Sequence, residues 1–185
     1  MKKRGFKLFL LGILLLVLLR GPLFRWCIRY ECTSTQEIYR LQDEVLLAQL
    51  REEIAKTSAR DIWNWAEFAQ RFTARHLRFV TNPESSQPEQ VWSNGKAHCV
   101  GYAALMGAVL EEVYRLKHDE ILLSPKVTHC RGEIYLLGWR LTGPNRLAFF
   151  RDHDFIYVSS SVYSDAEAYD PAIYDYLRIK RVRAQ

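Results

Sequence analysis

The sequence predicts an α+β fold in which helices come first and pack on a later antiparallel sheet, all preceded by a membrane-anchor helix. Three observations predict it. An uncharged apolar run, Leu8–Leu19, stands behind a basic N-terminus. Apolar residues then recur at three- and four-residue spacing as far as about Lys117. Beyond that point Val, Ile, Tyr, Phe and Trp gather in short runs broken by Gly, Pro, Asn and Asp, as in strands joined by turns. Helices followed by strands imply segregated layers rather than alternating βαβ units.

The N-terminal run is the first element. Its 12 uncharged residues, Leu8–Leu19, reach only about 18 Å as a helix, against a hydrocarbon core of about 30 Å. That length suits a signal sequence, but no small-x-small cleavage site follows. Lys7 and Arg20 can snorkel to the headgroups, and Trp26 suits an interface. The segment therefore reads as an uncleaved signal anchor rather than a cleaved signal peptide. A short basic N-terminus ordinarily stays in the cytoplasm, which would set residues 31–185 on the non-cytoplasmic, periplasmic or extracellular side.

Thr33–Thr35 offers helix-capping hydroxyls, and a helical pattern follows to about Ser58 through Ile38, Leu41, Val45, Leu46 and Ile54. Asp61 opens a second helix with Ile62, Trp65, Phe68, Ala69 and Phe72 on one face. The stretch "TNPESSQPEQ" is a polar surface loop. A third helix runs from near Ala97 to about Lys117. The strand-like runs after it are "PKVTHCRG", "EIYLLGWRLT", "RLAFFRDHDFIYVSSS" and "EAYDPAIYDYLRI", with turn signals at Gly132, Gly143-Pro144-Asn145 and Asp170-Pro171. A chain of 185 residues favours one globular domain. The expected division is an anchor over residues 1–30, a connecting helix over 31–60 and the domain over 61–185.

Charge narrows the function classes. Of 26 Lys and Arg residues, seven lie within residues 1–30, which hold no acid, so 19 remain against 21 acidic residues. The basic surplus thus belongs to the anchor, and nucleic acid is not an expected partner. The closing run Arg178, Lys180, Arg181 and Arg183 reads as a solvated tail. The four cysteines are Cys27, Cys32, Cys99 and Cys130. Outside the cytoplasm, Cys27 and Cys32 are placed to pair across a short loop, though a free thiol is also tolerated there. Their C-x4-C spacing has no matching second pair, so no metal is expected, and no cofactor either.

The chemistry centres on "GKAHCVGYAALMGAVLEEV", where Cys99 stands at the start of a helix. Unpaired backbone N–H groups and the positive end of the dipole favour an anion there, and a thiolate is one. The plain alternative is a buried core cysteine. A nucleophilic thiol needs a base, and the base needs an acceptor that orients it. Among the five histidines, His98 points to another helix face, His76 and His118 sit in helical or polar surface context, and His129 precedes Cys130 on a strand. His153, on a predicted strand, is the one placed to reach a helix N-terminus. Asp152 and Asp154 flank it but point to the opposite face. Asp170, held extended by Pro171, is the better partner.

"GKAHCVGYAALMGAVL", "HDFIYV" and "AYDP" together resemble the three blocks of the bacterial transglutaminase-like superfamily, of papain-like fold. The likeness spans roughly residues 60–175. It implies a papain-like core and a Cys99–His153–Asp170 triad. In it, Cys99 would attack an amide or ester carbonyl, His153 would protonate the leaving amine, and Asp170 would fix the imidazole. The oxyanion would rest on the Cys99 N–H and one further donor. Trp92 is the candidate, ahead of Gln87 and Gln90, though a packed loop aromatic explains Trp92 as well. A membrane-anchored thiol enzyme acting on peptide, protein or cell-wall amides is the leading expectation. The alternative is a non-catalytic interaction module of the same fold. A cell-wall amidase of the related Cys–His type usually carries Asp-Cys-Ser, where this chain has His98-Cys99-Val100.

Overall fold

A computed structural model describes residues 12, 15, 19–118, 121, 125–141, 153–160 and 166–184. Among these the helices are α1 (Arg20–Cys27), α2 (Glu44–Ala55), α3 (Ile62–His76), α4 (Pro88–Asn94), α5 (Cys99–Leu116) and α6 (Pro171–Leu177). The strands are β1 (Ile28–Gln36), β2 (Arg78–Phe79), β3 (Lys96–Ala97), β4 (Pro125–Leu136), β5 (Trp139–Arg140), β6 (His153–Ser160), β7 (Ala166–Tyr169) and β8 (Arg183–Ala184). The fold is α+β.

The main sheet runs β7-β6-β4-β1-β8, with β5 paired onto the end of β4. Its neighbours are antiparallel except β1 and β8, which are parallel. Val182, just before β8, donates its N–H to the Ala168 carbonyl of β7 at 2.9 Å. The two outer strands therefore meet, and the sheet curls back on itself. Alternation along each strand then separates two apolar regions. Tyr30, Cys130, Ile134, Phe155, Ala168, Ile179 and Val182 fill the inside of the curl. Ile156 and Val158, one residue out of phase with Phe155, face the helices with Val127.

The helical layer is built on α3 and α5. Trp65, Phe68 and Phe72 of α3 meet Leu105, Val109 and Val113 of α5 in one buried cluster. Each such side chain contributes about 1.5–3 kcal/mol on burial. Asp61 caps α3 by accepting the Asn64 N–H at 2.8 Å, and Asp43 caps α2 through the Leu46 N–H at 2.8 Å. Either cap is worth about 1 kcal/mol.

Several expectations are corrected. Thr33–Thr35 lies on a strand, and the expected helix begins only at Glu44. The reason is a period-two pattern, Ile28-x-Tyr30-x-Cys32, that seats this stretch against β4 with Tyr30 opposite Ile134. Ile38 and Leu41 still pack on the core from the connecting segment, whereas Val45 is exposed. Gly132 is a strand residue and not a turn: a Cβ there would overlap the Glu31 carbonyl of the neighbouring strand. "PAIYDYL" is a helix, because Pro171 fits the first helical turn and Asp170 caps it. Cys32 pairs with Cys130 and not with Cys27, at a Cα–Cα distance of 5.4 Å. Extended β1 carries Cys32 away from Cys27 at the end of α1 and lays it beside β4.

The hairpin expected at Gly143-Pro144-Asn145 lies outside the described residues, as does most of Leu8–Leu19. Among the described residues no helix is long and apolar enough to cross a membrane.

Candidate functional site

Two glycines set the position of Cys99. Gly95 ends α4 in the left-handed region, φ 63°, and its N–H returns to the Val91 carbonyl at 3.0 Å. The chain then pairs in parallel with β2, Arg78 opposite Lys96 and Phe79 opposite Ala97, and enters α5 at Cys99. Gly101 allows that entry to lie close: a Cβ there would come within 2.8 Å of the Ala97 Cβ and 3.1 Å of Val91 Cγ2. The Gly-x-x-x-Cys-x-Gly spacing is thus a packing requirement of the turn. His98 is the N-cap, its Nδ1 accepting the Gly101 N–H at 3.4 Å. It serves the helix end and leaves the thiol to another ring.

That ring is His153, the first residue of β6, fully buried. It lies on the same strand face as Phe155, inside the curled sheet. The Tyr30 ring stands edge-on to it, centroids 5.5 Å apart, and edge-on to Phe155 at 5.1 Å. Its Nε2 lies 2.6 Å from Asp170 Oδ2. The Cys99 thiol interacts with the same imidazole. With Nε2 on the carboxylate, Nδ1 is the nitrogen left for the sulfur.

Asp170 is fixed from four directions. Its Oδ1 accepts the Ile173 N–H at 3.0 Å, capping α6. Its Oδ2 accepts the Tyr30 hydroxyl at 2.6 Å as well as facing His153. Its carbonyl accepts an N–H of the Gln70 amide at 3.2 Å. Hydrogen bonds to an ionised acceptor are the strong kind. The electrostatics follow. Burial alone would lower the His153 pKa, but the charge and hydrogen bond of Asp170, helped by Cys99, outweigh it and raise it to about 10. His153 is therefore an imidazolium at neutral pH. Burial, then the adjacent Asp170 carboxylate, raise the Tyr30 hydroxyl well above its usual range, so Tyr30 remains a donor.

The three residues singled out from sequence, Cys99, His153 and Asp170, therefore converge. Asp154 points to the other face, as alternation requires, and there bonds His129 Nε2 at 3.0 Å and Arg131 Nε at 3.0 Å. His129 is thereby committed away from the thiol. Trp92 stacks on Phe72, centroids 5.4 Å apart and planes 1° from parallel, and lies 4.2 Å from the His76 ring centroid. It is part of the packing between α3 and α4. Among the described residues no cluster of His, Cys, Asp and Glu could hold a metal.

Sequence reasoning missed Tyr30 and Gln70. The alternation around Tyr30 is a readable strand signal, but it falls where the expected anchor (1–30) meets the expected connecting helix (31–60). Gln70 is a fully buried polar residue inside the apolar α3, and nothing in its sequence neighbourhood pairs it with a residue 100 positions away.

No family model, no curated protein and no solved structure matches the chain.

Proposed function

We propose that the chain is a membrane-anchored thiol enzyme of transglutaminase-like type, with a papain-like core, acting on amide bonds of peptides, proteins or cell-wall material. One observation carries this: a buried imidazole held between a carboxylate at 2.6 Å and a thiol at a helix N-terminus. Structural histidines need no such pairing, whereas acyl transfer does.

In the proposed step, the Cys99 sulfur adds to the amide carbonyl as a thiolate. The developing oxyanion rests on the Cys99 backbone N–H, which as the first helical residue has no intrahelical partner. His153 gives its proton to the leaving nitrogen, the C–N bond breaks, and an S-acyl Cys99 remains. Water or an amine then attacks, returning a proton to His153 and freeing the sulfur. Asp170 keeps the ring oriented and stabilises its charge throughout. Trp92, the second donor expected from the resemblance, packs on Phe72 and His76 instead and takes no role in this reading.

The disulfide supports a non-cytoplasmic domain, because such bonds persist in oxidising compartments. The apolar run Leu8–Leu19 supports the anchor.

A second reading, a non-catalytic interaction module, is favoured by the burial of Cys99, which is 4% exposed. Alkylation decides between the two. Native protein is treated with iodoacetamide at neutral pH and the adduct mapped. Rapid modification of Cys99 that is lost in His153→Ala supports the enzyme. A thiol as slow as a buried cysteine, equally slow in both proteins, sinks it in favour of the module.

A further inference from the structure

A cleft of about 810 Å³ lies between α1 and the C-terminal segment. Its walls carry Arg20, Arg25, Arg178, Lys180, Arg181 and Arg183, against the single carboxylate Glu67. Glu67 already receives Lys180 at 2.9 Å and Arg181 at 3.0 Å. Arg25 is held by Glu167 at 3.3 Å. Arg178 and Arg183 are exposed and form no ion pair among the described residues. Among the described residues Arg178 and Arg183 thus bring charge that no carboxylate pairs, and the walls Pro22, Trp26 and Ile179 are apolar. Such a lining suits an anion attached to something oily.

The helix beside the cleft supplies the second observation. Leu19 donates its N–H to the Leu15 carbonyl at 2.8 Å and Leu23 to that of Leu19 at 2.9 Å, so helical bonding continues upstream of α1. Leu15, Leu19, Leu23 and Trp26 recur at four- and three-residue spacing, and all are exposed, Trp26 at 74%. They form one partly exposed apolar stripe that borders the cleft at Trp26. The stripe continues the uncharged run Leu8–Leu19 and ends on a tryptophan, the residue suited to a membrane interface.

We propose that the cleft binds the phosphate-bearing headgroup of an anionic phospholipid, while the Leu15–Trp26 stripe lies at the acyl boundary of the same bilayer. Arginine forks suit phosphate oxygens, and basic side chains beside an apolar helix reach the level of the headgroups. The inference rests on the membrane-anchor part of the proposed function and is independent of the triad.

The test uses the full chain in neutral detergent micelles and isothermal calorimetry. The probes are dihexanoyl-phosphatidylglycerol, dihexanoyl-phosphatidylcholine and inorganic phosphate. The glycerol lipid is expected to bind at least tenfold more tightly than the other two. The double variant Arg178→Gln/Arg183→Gln is expected to lose at least tenfold of that affinity. Both positions are exposed and outside the triad, so Cys99 alkylation should be unchanged, which verifies folding. Equal affinity for the two lipids, or full affinity in the double variant, overturns the proposal. Phosphate binding as tightly as the glycerol lipid overturns it in favour of a free-anion site. Carbonate extraction of cell membranes tests the anchor separately: a chain released by carbonate strikes the anchor reading, while one retained without lipid selectivity strikes the cleft alone.

Discussion

His153 Nε2 and Asp170 Oδ2 stand 2.6 Å apart inside the curled sheet, and the imidazole is charged because of it. Asp170→Asn keeps a side chain able to cap α6 but removes that charge. Cys99 alkylation at pH 7 is expected to fall at least tenfold, since an uncharged partner no longer holds the ring in the required tautomer. Asp170→Ala, which also leaves His153 and Tyr30 without their acceptor, is expected to cost about 3–5 kcal/mol in urea unfolding. An unchanged alkylation rate in the asparagine variant would remove Asp170 from the site.

Tyr30→Phe preserves the edge-on packing with His153 and Phe155 and deletes only the hydroxyl that Asp170 accepts at 2.6 Å. The expected loss is about 1.5–3 kcal/mol, the range for a hydrogen bond to a charged group. Alkylation of Cys99 should slow by less than in Asp170→Asn, because the His153–Asp170 contact survives. A larger effect than that of Asp170→Asn would show that Tyr30 touches the reacting atoms.

Stability should depend on pH in a defined window. The His153 pKa is about 6.5 in an unfolded chain and about 10 in the fold. Between these values the folded state binds the extra proton, so this contribution is complete below about 6.5 and is lost as pH rises toward 10. The midpoint of urea unfolding is therefore expected to fall steadily over that window in the wild type. In His153→Gln the slope should flatten. A wild-type profile as flat as that of the variant would contradict the charged imidazole.

The disulfide makes a countable prediction. Of the four cysteines, Cys27 and Cys99 take no part in a disulfide. Denatured but unreduced protein should take up two alkyl groups by mass spectrometry, and four after reduction. The bond spans 98 residues of sequence. Chain-entropy reasoning gives about 4–5 kcal/mol for a loop of that size. Cys32→Ala/Cys130→Ala should accordingly melt well below the wild type.

Gly101→Ala probes the approach of the α5 entry. The added methyl would meet Ala97 Cβ at 2.8 Å and Val91 Cγ2 at 3.1 Å. Relief requires the helix start to shift, at about 1–3 kcal/mol. Cys99 alkylation should slow as the thiol moves from His153. Near-wild-type stability and rate would mean that the turn is looser than the contact distances imply.

The α+β class and the two principal helices were legible because α3 and α5 carry their own caps and a helical apolar period. The positions of Cys99, His153 and Asp170 were legible because a helix start, an alternating strand and an Asp-Pro pair each mark a side chain locally. The failures were non-local. β1 looks like a linker until β4 lies beside it, and only then does Cys32 meet Cys130 rather than Cys27. Tyr30 is one residue of a short alternating stretch, and its role depends on an aspartate 140 residues away. "PAIYDYL" has the aromatic content of a strand, but a proline in the first turn and an aspartate cap outweigh that propensity.

That separation of 140 residues between Tyr30 and Asp170 has a consequence for biosynthesis. Until residue 170 has been added, the early tyrosine has no carboxylate to meet and the histidine has no counter-ion. A nascent chain shorter than that thus lacks the carboxylate that charges the imidazole beside Cys99. The assembled charge arrangement exists only once two segments 140 residues apart have both been made and brought together.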